Sequence, residues 1–322
     1  MDLSAIFTKP SDMARLPSAT SAVLYVLFSV LVLLGYIFII YPVFFCSVRH
    51  IPGPYISKVT SLWLTYQGYK NNANQYIHGL HQIYGPVVRV APEVVSFNSV
   101  EAIPAIYGVR SNFAKPLSAA NMDNYGKPNT FSSVTNEDHR RRRGRYASSY
   151  SKSNMTQGSG YEGILRRTKQ VLAVIHDAVV KEQSVDIYKI FHYYAVDNAA
   201  LIASGTSMGL LYGHSIGYSE DLRDMFMGLA YVFYFSIISF LLRIMPNVSA
   251  YFLPKPVLRA FQAYGRVQGK NIEHYSRSRL IQESEFEKAV LIRLQEHKDY
   301  GAPDLTDMHI ASEISDHLLA GM

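Results

Sequence analysis

Residues 84–97 have the sequence YGPVVRVAPEVVSF, and they decide the fold class of this 322-residue chain. Gly85 and Pro86 interrupt the pattern before them, and the β-branched run that follows is typical of a strand. Pro92 predicts a turn, after which VVSF predicts the returning strand of a hairpin. Because apolar residues from about Ile164 onward recur with helical spacing, the sequence predicts a mainly α protein with a small β-hairpin region.

Upstream of the hairpin, residues 61–84 are predicted to form one helix, and IPGP at residues 51–54 predicts a stiff turn. Residues 22–46 form a run of 25 residues without a charge. At about 1.5 Å per residue, a helix of this length crosses the ~30 Å core of a bilayer. We therefore expect an N-terminal tail at 1–21, an uncleaved transmembrane anchor at 22–46 and one large domain at 47–322.

The charge distribution marks the orientation of this anchor weakly, with Lys9 and Arg15 before it and Arg49 and Lys58 after it. The only cysteine is Cys46, which excludes an intramolecular disulfide and favours a cytosolic location for the rest of the chain. The net charge of +6 favours acidic lipid or an acidic partner protein without selecting between them.

Two short motifs match enzyme signatures but lack the context that their chemistry needs. GSGYEG at 158–163 fits the dinucleotide-binding glycine pattern, yet a polar stretch precedes it where a strand is required. GHSIG at 213–217 fits the nucleophile elbow of a serine hydrolase, with Ser215 as nucleophile and Asp304 and His309 as nominal partners. Residues 209–212 are a short candidate strand before it. The required alternation of strands and helices is missing, so surface loops are the favoured interpretation of both motifs.

Several histidines and carboxylates have helical spacing and define a candidate metal site. Groups three or four residues apart share a helix face, but no known ligand signature is present. Solvated helix faces explain such spacing equally well. The sets are His78 with His81, Glu313 with Asp316, and His309 with Glu313 and His317.

The densest charge lies in HRRRRGR at residues 139–145. This run is compatible with a nucleic-acid patch, a face that docks an acidic protein, or a solvated helix face. The membrane anchor argues against nucleic acid. Four consecutive arginines cannot all point the same way on a helix, whereas His139 and Arg143 share one face that can turn inward.

A second apolar stretch, residues 225–242, contains 18 residues without a charge. It is long enough for a second membrane-spanning helix, but a buried or membrane-dipping helix is the alternative. Hydropathy alone does not separate the two.

The order of these pieces resembles that of microsomal cytochrome P-450 enzymes, particularly fungal ones. The resemblance implies a cytochrome P-450-like fold, a haem cofactor, and an endoplasmic reticulum membrane protein with one span and its body facing the cytosol. It also implies an NADPH-cytochrome reductase as partner and monooxygenation of a lipophilic small molecule, with secondary metabolism as a setting. The similar segments are the anchor, IPGP, residues 84–92, 128–131, 137–151, 203–209 and 313–321.

The same resemblance implies a set of cofactor-binding residues. Arg143 would hold a haem propionate through a charge-assisted hydrogen bond, and His139 would approach the same carboxylate. Ala320 and Gly321 would lie where the long central helix crosses the haem. The loop at 108–136 would line part of the substrate pocket, and the other arginines of the basic run would face the reductase. No catalytic residue and no metal ligand is assigned.

The family's axial cysteine has no counterpart among these residues, because Cys46 lies at the end of the anchor. Thiolate donation makes the family's oxygen chemistry accessible. The chain alone is therefore predicted to be inactive. The alternatives are a non-catalytic truncated membrane protein or degenerate gene product, and a serine hydrolase that uses Ser215.

Overall fold

The computed structural model describes residues 19–108, 111–213, 217–234, 255–281, 284–302 and 304–321, with the side chains of 19–22, 227–234 and 256 excepted. The chain divides into two compact units, Met1–Ile103 and Pro104–Met322. Helices dominate, and the one sheet in the described part has two strands. The predicted fold class, mainly α with a small β-hairpin, is confirmed.

The first unit begins with a long apolar helix and ends with the hairpin. Its strands are antiparallel, with Val87 opposite Phe97 and a bulge between Arg89 and Ala91. Leu80 packs on Val88 and Val90 to form a small core. The elements are α1 (Ala19–Gly35), a π-helical continuation (Tyr36–Phe45), α2 (Tyr55–Val59), α3 (Leu62–Tyr69), α4 (Ala73–Tyr84), β1 (Val87–Ala91) and β2 (Val94–Phe97).

The apolar helix includes the one candidate membrane span in the described part of the chain, Val23–Phe45. Its side chains are mostly exposed in the folded chain, from Val23 to Phe45. A surface of this size and apolarity cannot face water without a large cost, so its natural surroundings are lipid or another apolar surface. The assignment rests on length and composition.

The predicted single helix over residues 61–84 is wrong, because the structure has two helices there. α3 ends at Tyr69, and Asn71 has a φ of 54°, which is left-handed backbone that no right-handed helix can contain. The Asn72 side-chain amide donates to Gln67 Oε1 across the break. Asparagine tolerates this backbone conformation better than most residues, which explains the position of the break.

The described part of the second unit is mainly helical, with an irregular loop before the helix that begins at Asn136. α5 (Ala102–Tyr107) lies at the boundary of the two units. The helices that follow it among the described residues are α6 (Asn136–Gly144), α7 (Lys152–Thr156), α8 (Gly158–Val180), α9 (Ile187–Ser204), α10 (Tyr218–Tyr234), α11 (Lys255–Ser278), α12 (Val290–Asp299) and α13 (Asp307–Ala320). Single 3₁₀ turns occupy Leu117–Met122, Ala147–Tyr150 and Leu210–Tyr212.

The core of this unit is formed where α9, α10, α11 and α13 meet. The side chains there are almost completely removed from water, and this burial is the main term that stabilises the bundle. Buried apolar residues of the four helices include Val196, Ala200, Leu222, Val267, Ile310, Ile314 and Leu318.

Three further predictions concern residues of this unit and can be compared with its structure. In the predicted loop at 108–136, residues 111–135 are irregular apart from the 3₁₀ helix Leu117–Met122, and α6 begins at Asn136. The short strand expected at 209–212 is wrong, since Leu210–Tyr212 is a 3₁₀ turn. Of the apolar stretch 225–242, the part up to Tyr234 belongs to α10, and the remainder lies outside the described residues.

Candidate functional site

The basic helix α6 is fixed at both ends by specific contacts. Thr135 caps its N-terminus, because its hydroxyl oxygen accepts a hydrogen bond from the Asp138 backbone N–H. At the other end Arg145, whose side chain is 12% exposed, donates to the Asp304 carboxylate at 2.8 and 2.9 Å. The hydrogen bond from Arg145 lowers the pKa of Asp304. Because Asp304 precedes α13, this ion pair holds α6 to the start of that helix.

His139 and Arg143 lie one turn apart on α6, as their spacing predicts. His139 is half-buried, and its pKa is lowered by burial first and then by the charges of Lys115 and Arg143. Arg143 is exposed, and its guanidinium has no hydrogen-bond or ion-pair partner among the described residues. Its neighbour Arg142 instead donates to the Pro128 carbonyl at 3.2 Å.

Lys115 is a further basic residue beside this pair, and sequence reasoning missed it. Its Nζ donates to the backbone carbonyls of Thr130 at 3.1 Å and Phe131 at 2.6 Å, and lies over the Phe131 ring. Burial lowers the pKa of Lys115, while the carboxylates of Asp316 and Glu313 act in the opposite direction. No local signal marks a lysine in an irregular loop as part of a site.

The first half of α13 carries a buried acid, Glu313, that faces the same loop. Glu313 is 3% exposed, and both its oxygens accept from the Thr130 backbone N–H, at 3.2 and 3.0 Å. Burial raises the pKa of Glu313, and hydrogen bonds from Thr130 and Tyr146 oppose the rise. Burial and the nearby Glu313 charge also raise the pKa of the Tyr146 hydroxyl.

A second acid, Asp316, follows on the same helix. Burial, and then the charge of Glu313, raise the pKa of Asp316 to about 7.

His317 lies one turn beyond Glu313. Burial lowers the pKa of His317 to about 4, so its ring is neutral at neutral pH. The 3.7 Å approach of its Nε2 to Glu313 is therefore not an ion pair, and its Nδ1 hydrogen-bonds the Tyr150 hydroxyl at 2.9 Å. The site thus combines a cationic face on α6 with a buried acid pair on α13.

The spacings that suggested metal binding have local explanations. Within the described ranges, no group of three or more histidine, cysteine, aspartate and glutamate side chains converges on one point. His81 bonds the Gly85 carbonyl and Ser96 Oγ, both at 2.8 Å, and fixes α4 to the hairpin. His309 completes the capping box of α13 with Thr306.

Ala320 and Gly321 lie at the far end of α13, where Ala320 is the last helical residue and is exposed. Gly321 caps the helix. A Cβ at this position would collide with the Ala199 side chain of α9, so the glycine permits a close approach of the two helices. Ala320 lies one turn after Asp316 on the same face.

The two enzyme-like motifs gain no support in the described residues. The glycines of 158–163 lie in the first turns of α8, and Gln157 and α7 precede them instead of a strand. Asp304 is engaged by Arg145 and His309 by Thr306, while Ser215 lies outside the described residues.

Comparison with known proteins identifies the family. The cytochrome P-450 family profile matches residues 52–322. The chain belongs to the cytochrome P-450 family. Tryprostatin B 6-hydroxylase of Neosartorya fischeri is 30% identical over 197 residues, 61% of this chain and 35% of that protein. Cytochrome P-450 monooxygenase tazI of Aspergillus terreus is 28% identical over 212 residues, 66% of this chain and 42% of that protein.

A pisatin demethylase of Fusarium vanettenii is 28% identical over 173 residues, 53% of this chain and 34% of that protein. The chain spans about a third to two fifths of the length of these relatives. The predicted resemblance to fungal cytochrome P-450 enzymes, over the N-terminal part of their domain, is confirmed.

Membership of the cytochrome P-450 family implies a haem cofactor, and the chemistry of α6 suits one end of it. Haem carries two carboxylates, and Arg143 offers a guanidinium that no described residue engages, next to the His139 imidazole. The one cysteine, Cys46, is 4% exposed in the first unit, where its thiol approaches the Pro92 carbonyl at 3.6 Å.

Proposed function

We propose that this chain is the N-terminal part of a membrane-bound, haem-dependent monooxygenase that oxidises a lipophilic small molecule, in the setting of fungal secondary metabolism. The match of the family profile to residues 52–322 carries this proposal. Bound haem would supply the oxygen-activating chemistry. The residues of this chain would contribute the membrane anchor, a cationic contact to the cofactor and part of the pocket lining.

Arg143 and His139 are the proposed partners of the haem carboxylates. An unpaired guanidinium beside a half-buried imidazole is a good donor set for a carboxylate, because charge-assisted hydrogen bonds are the strong ones. The Lys115 charge adds to the positive potential at this face. Ala320 and Gly321 are proposed to lie near the haem where α13 ends.

The remaining contacts are proposed from charge and apolarity. The exposed Arg140 and Arg141 of α6 would face an acidic surface of a cytochrome reductase that supplies electrons from NADPH. The apolar helix Val23–Phe45 would anchor the protein in the endoplasmic reticulum membrane, with the body on the cytosolic side. The loop at 108–136 would line part of the pocket for the lipophilic substrate.

We also propose that residues 1–322 by themselves do not carry out the oxidation. The single thiol lies beside the apolar helix and is buried there against the hairpin, which does not suit an axial ligand of haem. A partner-binding or inactive membrane protein is the second candidate for these residues in isolation. The serine hydrolase has less support, since the predicted strand before Ser215 is a 3₁₀ turn.

The contact between Arg143 and a haem carboxylate is tested with two ligands that differ only in whether their carboxylates are free or esterified. Purified protein is titrated with haem and with haem dimethyl ester, and binding is followed by absorbance. We expect haem to bind about 10-fold more tightly than the ester, and Arg143→Gln to remove this preference, because a hydrogen bond to a charged group is worth about 1.5–3 kcal/mol. The matched control is Arg140→Gln on the exposed side of α6, which should keep the preference.

Equal or undetectable binding of both ligands by the native chain would contradict the proposed carboxylate contact. The lack of oxidation is tested separately. Reduced, carbon monoxide-treated protein consisting of residues 1–322 should lack the red-shifted Soret band of a thiolate-ligated haem. If that band appears, the proposal that these residues alone are inactive is wrong.

A further inference from the structure

Arg89 in β1 is a completely buried arginine with an unusual set of partners. Its side chain is 0% exposed, and no carboxylate of the described residues lies within ion-pair distance. Nε donates to the Pro92 carbonyl at 3.1 Å, and Nη2 donates to the Pro42 carbonyl at 3.0 Å and also to Pro92. Nη1 has no partner in the part of the chain described. A buried cation is costly, so these carbonyls must offset much of its desolvation.

The position of Pro42 explains how a carbonyl can serve this cation. Pro42 is one of the last four residues of the π-helical segment Tyr36–Phe45 that continues α1. The final carbonyls of a helix lack intrahelical partners and form the negative end of its dipole. The Arg89 guanidinium therefore caps the C-terminus of the apolar helix from the hairpin, 47 residues further along the chain.

The backbone of Arg89 makes a second connection to the segment that leaves this helix. Its N–H donates to the Pro52 carbonyl at 2.8 Å. A Cβ at Gly53 would collide with the Arg89 carbonyl, so glycine is required for this approach. The IPGP turn is thus held against β1 at the backbone of Arg89.

Cys46 lies in the same cluster of contacts, since its thiol approaches the Pro92 carbonyl that also accepts a hydrogen bond from Arg89. We infer that Arg89 is the residue that joins the apolar helix rigidly to the hairpin. The helix and the hairpin then move as one body, and the tilt of the helix in a bilayer fixes the orientation of the hairpin. We call the set Pro42, Cys46, Gly53, Arg89 and Pro92 the joint.

The single cysteine of the chain makes the joint directly measurable. Because Cys46 is 4% exposed, a water-soluble maleimide should label it slowly in protein held in lipid nanodiscs. We expect Arg89→Met to raise the labelling rate about 10-fold or more, because losing the guanidinium frees the helix end and opens the joint locally. Unchanged labelling of Arg89→Met would overturn the inference.

Arg49 provides a matched control, because it also caps a carbonyl at this helix end. Its Nη1 donates to the Phe44 carbonyl at 3.0 Å, but the hydrogen bond is exposed and does not reach the hairpin. Arg49→Met should leave the labelling rate of Cys46 within about twofold of the native rate. An equal rise of the labelling rate in Arg89→Met and Arg49→Met would show that loss of either hydrogen bond to the helix end exposes Cys46. That result would also overturn the role given to Arg89.

The only tryptophan reports whether the first unit remains folded. Trp63 in α3 packs edge-on against Tyr76 of α4, with ring centroids 6.4 Å apart. Its emission should be the same in Arg89→Met as in the native protein. If the Trp63 emission changes, Gly53→Ala tests the joint instead. This variant keeps the guanidinium but pushes the turn away from β1, so it should also raise the labelling rate of Cys46. No rise in that variant would then refute the joint. None of these measurements involves haem, so they are independent of the proposed function.

Discussion

The raised pKa of Asp316 predicts that its replacement by asparagine makes the second unit more stable at neutral and basic pH. The native carboxyl is largely withdrawn from solvent and close to the Glu313 charge, and its pKa rises to about 7. The folded state therefore keeps a proton that the unfolded state releases near its ordinary value of 3.8. Stability is greatest below the unfolded pKa and is lost as pH rises through the folded pKa.

The magnitude follows from the difference between the two pKa values. A rise from 3.8 to about 7 corresponds to ~4 kcal/mol, since one pKa unit is about 1.36 kcal/mol. The value of about 7 already includes the opposing effects of the Phe131 backbone N–H and the Lys115 charge. Asp316 keeps some contact with solvent, and screening by solvent reduces the difference. We therefore expect a loss of about 2–4 kcal/mol in the native protein between about pH 4 and about pH 8.

Urea unfolding of protein in detergent micelles, followed by circular dichroism across this pH range, measures the effect. Asp316→Asn keeps an acceptor for the Phe131 N–H but cannot ionise, so its stability should fall less with pH and exceed that of the native protein at about pH 8. The control is Asp299→Asn, an exposed acid at the end of α12, whose pH profile should match the native one. Parallel pH profiles for native protein and Asp316→Asn would refute the reasoning.

Two further predictions concern the stability of the second unit, measured by the same unfolding assay. Arg145→Ala should lower the free energy of unfolding by about 1–2 kcal/mol, because it removes both hydrogen bonds to Asp304 from a largely buried guanidinium. The control Lys181→Ala, at the exposed end of α8, should lower it by less than about 0.5 kcal/mol. Equal losses would show that burial of the Arg145–Asp304 pair does not matter. Leu318→Ala should cost about 2–5 kcal/mol, because Leu318 is 0% exposed in the main core, and a loss below about 1 kcal/mol would mean that the core collapses around the cavity.

The hairpin could be predicted from the sequence because its signals are local. A β-branched run between Gly85 and Pro92 leaves few alternatives to a strand and a turn. The break within residues 61–84 could not be predicted in the same way, since it depends on a left-handed backbone at Asn71 that apolar spacing does not reveal. Periodicity shows which face is apolar, but it does not show where a helix is interrupted.

The sequence predicts the part of the candidate site that lies on α6, but not the part formed by Lys115 and Glu313. The spacing of His139 and Arg143 places both on one face of α6, because a helix has about 3.6 residues per turn. The opposite side, formed by Lys115 and by Glu313 with its partners in the loop, depends on contacts across 183 residues of chain. Glu313 and Asp316 were recognised as sharing a helix region, but their burial, which raises both pKa values, is a tertiary property.

The irregular loop before α6 shows most clearly why local sequence is insufficient. Asn124 is 3% exposed, and its side-chain amide donates to the Ser312 carbonyl of α13 at 3.1 Å. Its oxygen accepts from Gln268 of α11 at 2.7 Å, and the Tyr125 hydroxyl donates to the Gln268 carbonyl at 2.8 Å. Buried polar groups require such partners, and here the partners lie 143 to 188 residues away along the chain. The loop therefore takes its conformation from contacts with α11 and α13, so the proposed pocket wall depends on the packing of those two helices.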